Sequence, residues 1–212
     1  MVKFRRLTIK KALADPGSLC YTWCDAADLY VSGSCLNRQE EGAVKDTIFL
    51  IGFMGAGKST VAKCLEEQYG RSAVEMDQRI EEQEKRTISR IFEEDGEAYF
   101  RERETQLLEE LEGQTGLVVS CGGGVPLRAC NVNIMRRSGW VIFLTATPET
   151  IYERVKNSHH RPLLENHMNL PFIAAMLEKR RERYEAAADY LISTDERSAE
   201  EICREILQRI EE

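Results

Sequence analysis

Nine residues restrict this 212-residue chain more than any others. "GFMGAGKST", residues 52–60, fits G-x-x-x-x-G-K-[ST] and lies between an apolar run of strand length, "TIFLIGF", and a helix-forming stretch, "KSTVAKCLEEQYG". Strand, loop and helix in that order are the context the motif needs. Gly52, Gly55 and Gly57 let the backbone curl so that successive N–H groups point inward at phosphate oxygens. The helix that follows turns its positive end to the same anion. Lys58 adds a mobile positive charge for the β- and γ-phosphates, and the Ser59 hydroxyl can ligate Mg²⁺. A nucleoside triphosphate site follows. Whether the γ-phosphate goes to water, to a protein or to a small molecule stays open.

The rest of the chain from Thr47 onward is regular. After the first helix, closed by Gly70, "SAVEM" reads as a second strand, and a charged helical region runs to about residue 113, broken at "EDGE". "GLVVS" is a third strand and "CGGGV" a glycine turn. "PLRACNVNIMRRSG" is a helix with Pro126 in its first turn, where a missing N–H costs little. "WVIFLTA", "TPETIYERVKNS", a polar loop "HHRPLLENHMNLP", a helix over about 171–188, "DYLIST" and a last helix over about 198–211 complete the alternation. Uniformly apolar strands alternating with helices predict a five-stranded parallel sheet covered on both faces, an α/β three-layer domain.

Residues 1–45 resist this reading and are taken as an N-terminal extension of unknown role, with residues 46–212 as the nucleotide-binding domain. The basic start "MVKFRRLTIKK" has neither an apolar centre nor a small-residue cleavage site, so it does not read as a secretory signal. No apolar run approaches the roughly 20 residues of a membrane span. A net charge of −7 argues against non-specific nucleic-acid binding. The seven cysteines, at 20, 24, 35, 64, 121, 130 and 203, include no C-x-x-C pair. They read as reduced thiols of a cytoplasmic protein.

Three clusters accompany the loop. Glu75 and Asp77, at i and i+2 of the second strand, are expected to point to one side from its tip, beside the loop, to hold Mg²⁺ or accept a hydroxyl proton. Three successive glycines, Gly122, Gly123 and Gly124, exceed what a turn needs and suggest close approach of a substrate to the backbone. Among the arginines, Arg180 shares a helix face with Ile173, Leu177 and Tyr184 and so requires an anionic partner, whether a structural carboxylate or a substrate. Arg101 edges the stripe of Phe100, Leu107, Leu108 and Leu111. Arg161 sits on the polar loop, which could close over the nucleotide.

Taken together, "GFMGAGKST", the acid pair before "IEE", "GEAYFRERE", "CGGGVPLR", "RPLL" and R-x-x-x-Y, in this order, resemble the shikimate kinase family from about Thr47 to the C-terminus. The resemblance implies a three-layer P-loop kinase fold and ATP-dependent phosphorylation of the 3-hydroxyl of shikimate, with Mg²⁺ as cofactor, in aromatic amino-acid (chorismate) biosynthesis. It places Asp77 on the shikimate hydroxyls as base, Arg101 and Arg180 on the shikimate carboxylate, and Gly122–Gly124 along the substrate pocket. Arg161 would reach the transferring phosphate and Arg154 the adenine. Ala56, Thr60 and Arg197 join Gly52, Gly55, Gly57, Lys58 and Ser59 in the ATP-binding set. Ser59 and Glu75 form the metal set, with Lys58, Asp77 and Arg161 catalytic. A monomer without nucleic-acid or membrane partners is expected.

Two departures accompany the resemblance. The family usually has Asp where this chain has Glu75, which moves the charge by roughly 1.5 Å, one carbon–carbon bond. The N-terminal stretch has no counterpart in the short family pattern. Two other readings stay open: a P-loop kinase for another acceptor, such as gluconate or a nucleoside monophosphate, and a nucleotide-binding module without turnover.

Overall fold

The computed structural model of the protein describes residues 45–156 and 169–212. The expectations for the N-terminal extension and for Arg161 lie outside the described residues. Within them the chain runs β1 (Thr47–Ile51), α1 (Lys58–Tyr69), β2 (Ser72–Glu75), α2 (Met76–Glu84), α3 (Ile88–Glu94), α4 (Gly96–Leu111) and β3 (Leu117–Ser120). It continues through a 3₁₀ turn (Val125–Leu127), α5 (Ala129–Ser138), β4 (Gly139–Thr145), α6 (Pro148–Val155), α7 (Leu170–Ala187), β5 (Tyr190–Ser193) and α8 (Ala199–Glu211).

The five strands pair in parallel in the order β2-β3-β1-β4-β5. β1 lies at the centre, and all five of its residues are buried. Successive side chains leave a strand on opposite faces, and here they divide two cores. Phe49 and Ile51 join Met76, Ile91, Phe100 and Tyr184 on one face, whereas Ile48 and Leu50 join Val61, Leu65, Ile202 and Ile206 beneath α1 and α8 on the other. That is the three-layer arrangement expected of uniformly apolar strands.

Helix ends follow local chemistry. Gly70 closes α1 in the left-handed conformation at φ 69°, which a residue without Cβ adopts freely. Ser198 and Glu201 form a reciprocal capping box on α8, satisfying two N–H groups that would otherwise lack partners.

Three expectations need correction. β2 ends at Glu75 and Met76 already begins α2, so Glu75 and Asp77 do not share a strand. Met76 is wholly buried as the first residue of the helix. The charged region breaks twice, first at Lys85 in a left-handed conformation before the Thr87 cap of α3, and again at Asp95. Finally, Pro126 occupies the separate 3₁₀ turn instead of the first turn of α5.

The sheet's central register depends on a glycine the motif reading passed over. Gly139 pairs with Thr47, and a Cβ built on it would lie 2.0 Å from the Thr47 carbonyl oxygen. Its φ of −176° is ordinary extended backbone, so the constraint is space alone. Gly139→Ala should therefore destabilise the fold by about 1–3 kcal/mol, the usual range for overpacking, measured by urea-induced unfolding. An unchanged midpoint would mean that β1 and β4 part there at little cost.

Candidate active site

At the carboxyl end of the sheet β1 turns into the phosphate loop. Gly55 and Gly57 have φ of +79° and +96°, values that favour glycine. The first turn of α1 has no side-chain cap, which leaves N–H groups at its start to meet an anion. Lys58 Nζ donates to the carbonyls of Gly52 and Phe53 at 2.9 and 3.1 Å and so folds back over the loop.

Two hollows meet there. The first, of about 440 Å³, is lined by Gly55, Gly57, Lys58, Ser59, Thr60, Arg154 and Arg197 among others. Arg154 is held in it by bonds to the Gly55 carbonyl (3.1 Å), the Thr194 hydroxyl (3.0 Å) and the Thr194 carbonyl (2.8 Å). Arg197 is tied to Glu205 at 2.6 Å. Two members of the expected nucleotide set lie elsewhere in the loop. Ala56 is buried, with its N–H donated to Phe53 O at 3.1 Å, and Gly52 packs against Leu144, which a Cβ would meet at 2.5 Å.

The second hollow, of about 410 Å³, gathers Lys58, Ser59, Glu75, Asp77, Arg101, Gly122, Gly123, Gly124 and Arg180. Lys58 and Ser59 thus stand on the boundary between the two. Although β3 separates β2 from β1, the end of β2 still reaches the loop, and Ser59 Oγ donates to Glu75 Oε2 at 3.0 Å. Hydroxyl and carboxylate are hard oxygen donors of the kind Mg²⁺ takes alongside phosphate oxygens and water. Among the described residues no group of three or more His, Cys, Asp or Glu side chains could hold a metal ion; a metal at Ser59 and Glu75 would need its remaining oxygens from phosphate and water.

The glycine triplet orders the charges in this hollow. A Cβ on Gly122 would stand 2.7 Å from Glu104 Oε1 and 2.9 Å from Asp77 Oδ1. On Gly123 it would stand 3.6 Å from Arg180 Nη1, and on Gly124 only 1.9 Å from Arg101 Nη1. Carboxyl groups therefore crowd one end of a three-residue ribbon and guanidinium groups the other. Arg101 is anchored to Glu97 and Glu104, each at 2.9 Å. Arg180 was expected to need an anionic partner. Its described partners are the Gly123 carbonyl at 3.4 Å, the Tyr184 hydroxyl at 3.5 Å and the Phe53 ring, none of them an anion. The Tyr184 hydroxyl, kept protonated as burial raises its pKa, donates to Gly123 O at 2.6 Å and secures α7 to the triplet.

Glu104 escaped sequence reading, although its place one helical turn after Arg101 in "FRERE" puts it on the same side of α4. It is fully buried, and among the described residues its Oε1 has no hydrogen-bond partner. Burial pushes its carboxyl up to about 7, against the opposing pull of Arg101. Nearby Cys121 is wholly buried as well, and burial pushes its thiol far above the ordinary range, which removes it as a nucleophile.

A parallel sheet with a phosphate loop opening onto an acceptor hollow defines a P-loop phosphotransferase. The sequence profile of shikimate kinase matches residues 54–211. The chain is 44% identical over 169 residues to a shikimate kinase of Dehalococcoides mccartyi, covering 80% of this chain and 96% of that protein. It is 45% identical over 163 residues to one of Persephonella marina, covering 77% and 98%. Its fold is similar to that of the Acinetobacter baumannii shikimate kinase in complex with shikimate, at 36% identity and a TM-score of 0.74 over 79% of this chain and 94% of that one. The chain belongs to the shikimate kinase family.

A carboxyl whose folded pKa lies above its unfolded value binds extra protons in the native state. Stability is then full below about pH 4.5 and is lost as pH rises through about 7. Glu104→Gln should remove that loss. The melting temperature of the variant, relative to the unmodified protein, should rise between pH 5 and 8, and a constant difference across that range would show that Glu104 is ionised throughout.

Proposed function

We propose that this protein transfers the γ-phosphate of ATP to the 3-hydroxyl of shikimate, giving shikimate 3-phosphate and ADP. The observation that carries the reading is the reversal of charge along Gly122–Gly124. Shikimate bears hydroxyls at one end and a carboxylate at the other, and the hollow offers carboxyl groups and guanidinium groups in the matching order. Arg180 and Arg101 take the carboxylate through charge-assisted hydrogen bonds. Arg180 contributes most, because among the described residues its charge has no anion to leave.

Asp77 takes the hydroxyls and, as the oxygen–phosphorus bond forms, accepts the hydroxyl proton. Lys58, at the boundary of the two hollows, follows the transferring phosphoryl group from donor to acceptor. Gly52, Gly55, Ala56, Gly57, Ser59 and Thr60 form the loop around the phosphates, with Arg154 and Arg197 flanking the nucleotide. Arg161, outside the described residues, is assigned to the transferring phosphate on the family resemblance. Ser59 and Glu75 would hold Mg²⁺, which when bound offsets negative charge on the phosphates.

Among the described residues no helix is long and apolar enough to cross a membrane. The free cysteines among the described residues agree with reduced thiols, and we take the protein to be a cytoplasmic monomer with no nucleic-acid partner. The N-terminal 45 residues are assigned to an extension outside the catalytic domain.

An ADP-release assay comparing shikimate with gluconate, nucleoside monophosphates and water separates the alternatives. Release should require shikimate, and equal release with water alone would make the chain an ATPase or a non-catalytic module. Asp77→Asn should lower kcat by about 10²–10⁴, the range for loss of a general base, with ATP binding preserved; near-normal turnover would remove Asp77 as the base. For the metal, calorimetric titration of ATP at varied Mg²⁺ should shift on Glu75→Asp, whereas an unchanged Mg²⁺ dependence would place Glu75 outside the metal's surroundings.

A further inference from the structure

Behind Arg101 lies a polar cluster for which phosphoryl transfer gives no account. Asn131, on α5, is completely buried. Its Nδ2 donates to the carbonyl of Val125 at 3.1 Å, and its Oδ1 accepts from the Thr105 hydroxyl at 2.8 Å and from the Cys130 thiol at 3.6 Å. Arg128 Nη1 donates to Thr105 Oγ1 at 3.1 Å and to the backbone carbonyl of Arg101 at 2.9 Å. None of Thr105, Arg128 and Asn131 lines the acceptor hollow.

The direction of these bonds follows from what each group can do. Val125 O only accepts, so the amide nitrogen of Asn131 must face it and the amide oxygen must face Thr105. Thr105 has one proton. The Arg101 carbonyl, also 3.1 Å from its hydroxyl, is already served by Arg128, so the proton goes to the closer Asn131 Oδ1. Each polar side-chain atom of Asn131 and Thr105 is then in a hydrogen bond, the condition on which a buried amide costs little.

The two ends of this chain of bonds matter most. One is the α4 turn that carries Arg101. The other is Val125, the residue after Gly124, against whose α-carbon the Arg101 guanidinium rests. A slip between α4 and the triplet would drive the guanidinium into the Gly124 backbone or lift it from the acceptor.

We propose that Asn131, Thr105 and Arg128 are positioning residues that hold the Arg101 turn of α4 in register with the glycine triplet and so aim Arg101 at the carboxylate of the acceptor. This rests on the assignment of Arg101 to that carboxylate. The three residues touch neither substrate; they act through Arg101 alone.

Thr105→Val keeps the shape of the side chain and removes the hydroxyl, and Thr105→Ser restores it. Thr105→Val should raise KM for shikimate about tenfold, the lower end of what loss of an orienting partner costs, with kcat and KM for ATP changed by less than about twofold. Thr105→Ser should return KM for shikimate to near its original value. Asn131→Asp, which removes the donor to Val125 and keeps the acceptor for Thr105, should show the same split and serves if Thr105→Val does not fold. Arg101→Lys is measured alongside. If it raises KM for shikimate and both Thr105→Val and Asn131→Asp leave it unchanged, the positioning role is overturned and Arg101 keeps its assignment. A parallel rise of both KM values in the Thr105 and Asn131 variants would reduce the cluster to a structural one. If Arg101→Lys itself has no effect, the assignment to the carboxylate fails, and the proposal with it.

Discussion

The Cys121 N–H donates to the Leu50 carbonyl at 3.0 Å, and the rest of the site depends on that bond. It is the last rung between the two central strands of this pair. Past it, the β1 chain becomes the phosphate loop and the β3 chain becomes the glycine triplet, both leaving the sheet at the same height. Neither loop could find the other by its own preferences, since each is rich in glycine and loses much conformational freedom on ordering. The parallel ladder supplies their relative placement as a by-product of burying Phe49, Leu50, Val118 and Val119. Helix α7 then comes into place through the short bond from Tyr184 to Gly123, with Arg180 one turn earlier on the same face.

Electrostatics in the hollow differ from one arginine to the other, and the difference is physical. Arg101 has two carboxylates of its own and is rigidly held; burial lowers its pKa, yet Glu104 and Glu97 together outweigh that and leave it raised. Arg180 rests on a carbonyl, a hydroxyl and an aromatic face, so more of its charge is available to a bound anion. Glu104 carries the cost of this arrangement. Removed from water beside Asp77, it resists ionisation even in contact with a guanidinium, because desolvation exceeds the attraction of one partner.

Much of this was legible in the chain. The loop motif, uniformly apolar strands and helix-closing Gly70 led to the phosphate loop and the five strands of the parallel sheet, and the helix face of Ile173, Leu177, Arg180 and Tyr184 correctly brought Arg180 inward. What failed did so where tertiary packing decides. Met76 in "VEM" suits a strand as well as a helix, and only its burial in the core under α2 settles which. Glu104 looked like one more charge in an acidic helix, since a local pattern cannot tell a solvated carboxylate from one placed against Gly122, in a different segment of the chain. Asn131 was illegible for the same reason. Its partners on α4 and in the 3₁₀ turn come from different segments, and its meaning exists only when they meet.

The contact between Arg101 and Gly124 also bears on how such a chain can change over generations. The volume a β-carbon would fill at 124 belongs to the guanidinium of Arg101, so the two positions hold one space in common. If Arg101 takes the acceptor carboxylate as proposed, a lineage that kept an acidic acceptor could drift at many surface sites while 124 stayed without a side chain. One that abandoned the acidic acceptor would be released at both positions at once. On that role, substitution there should occur as a paired event that records a change of substrate.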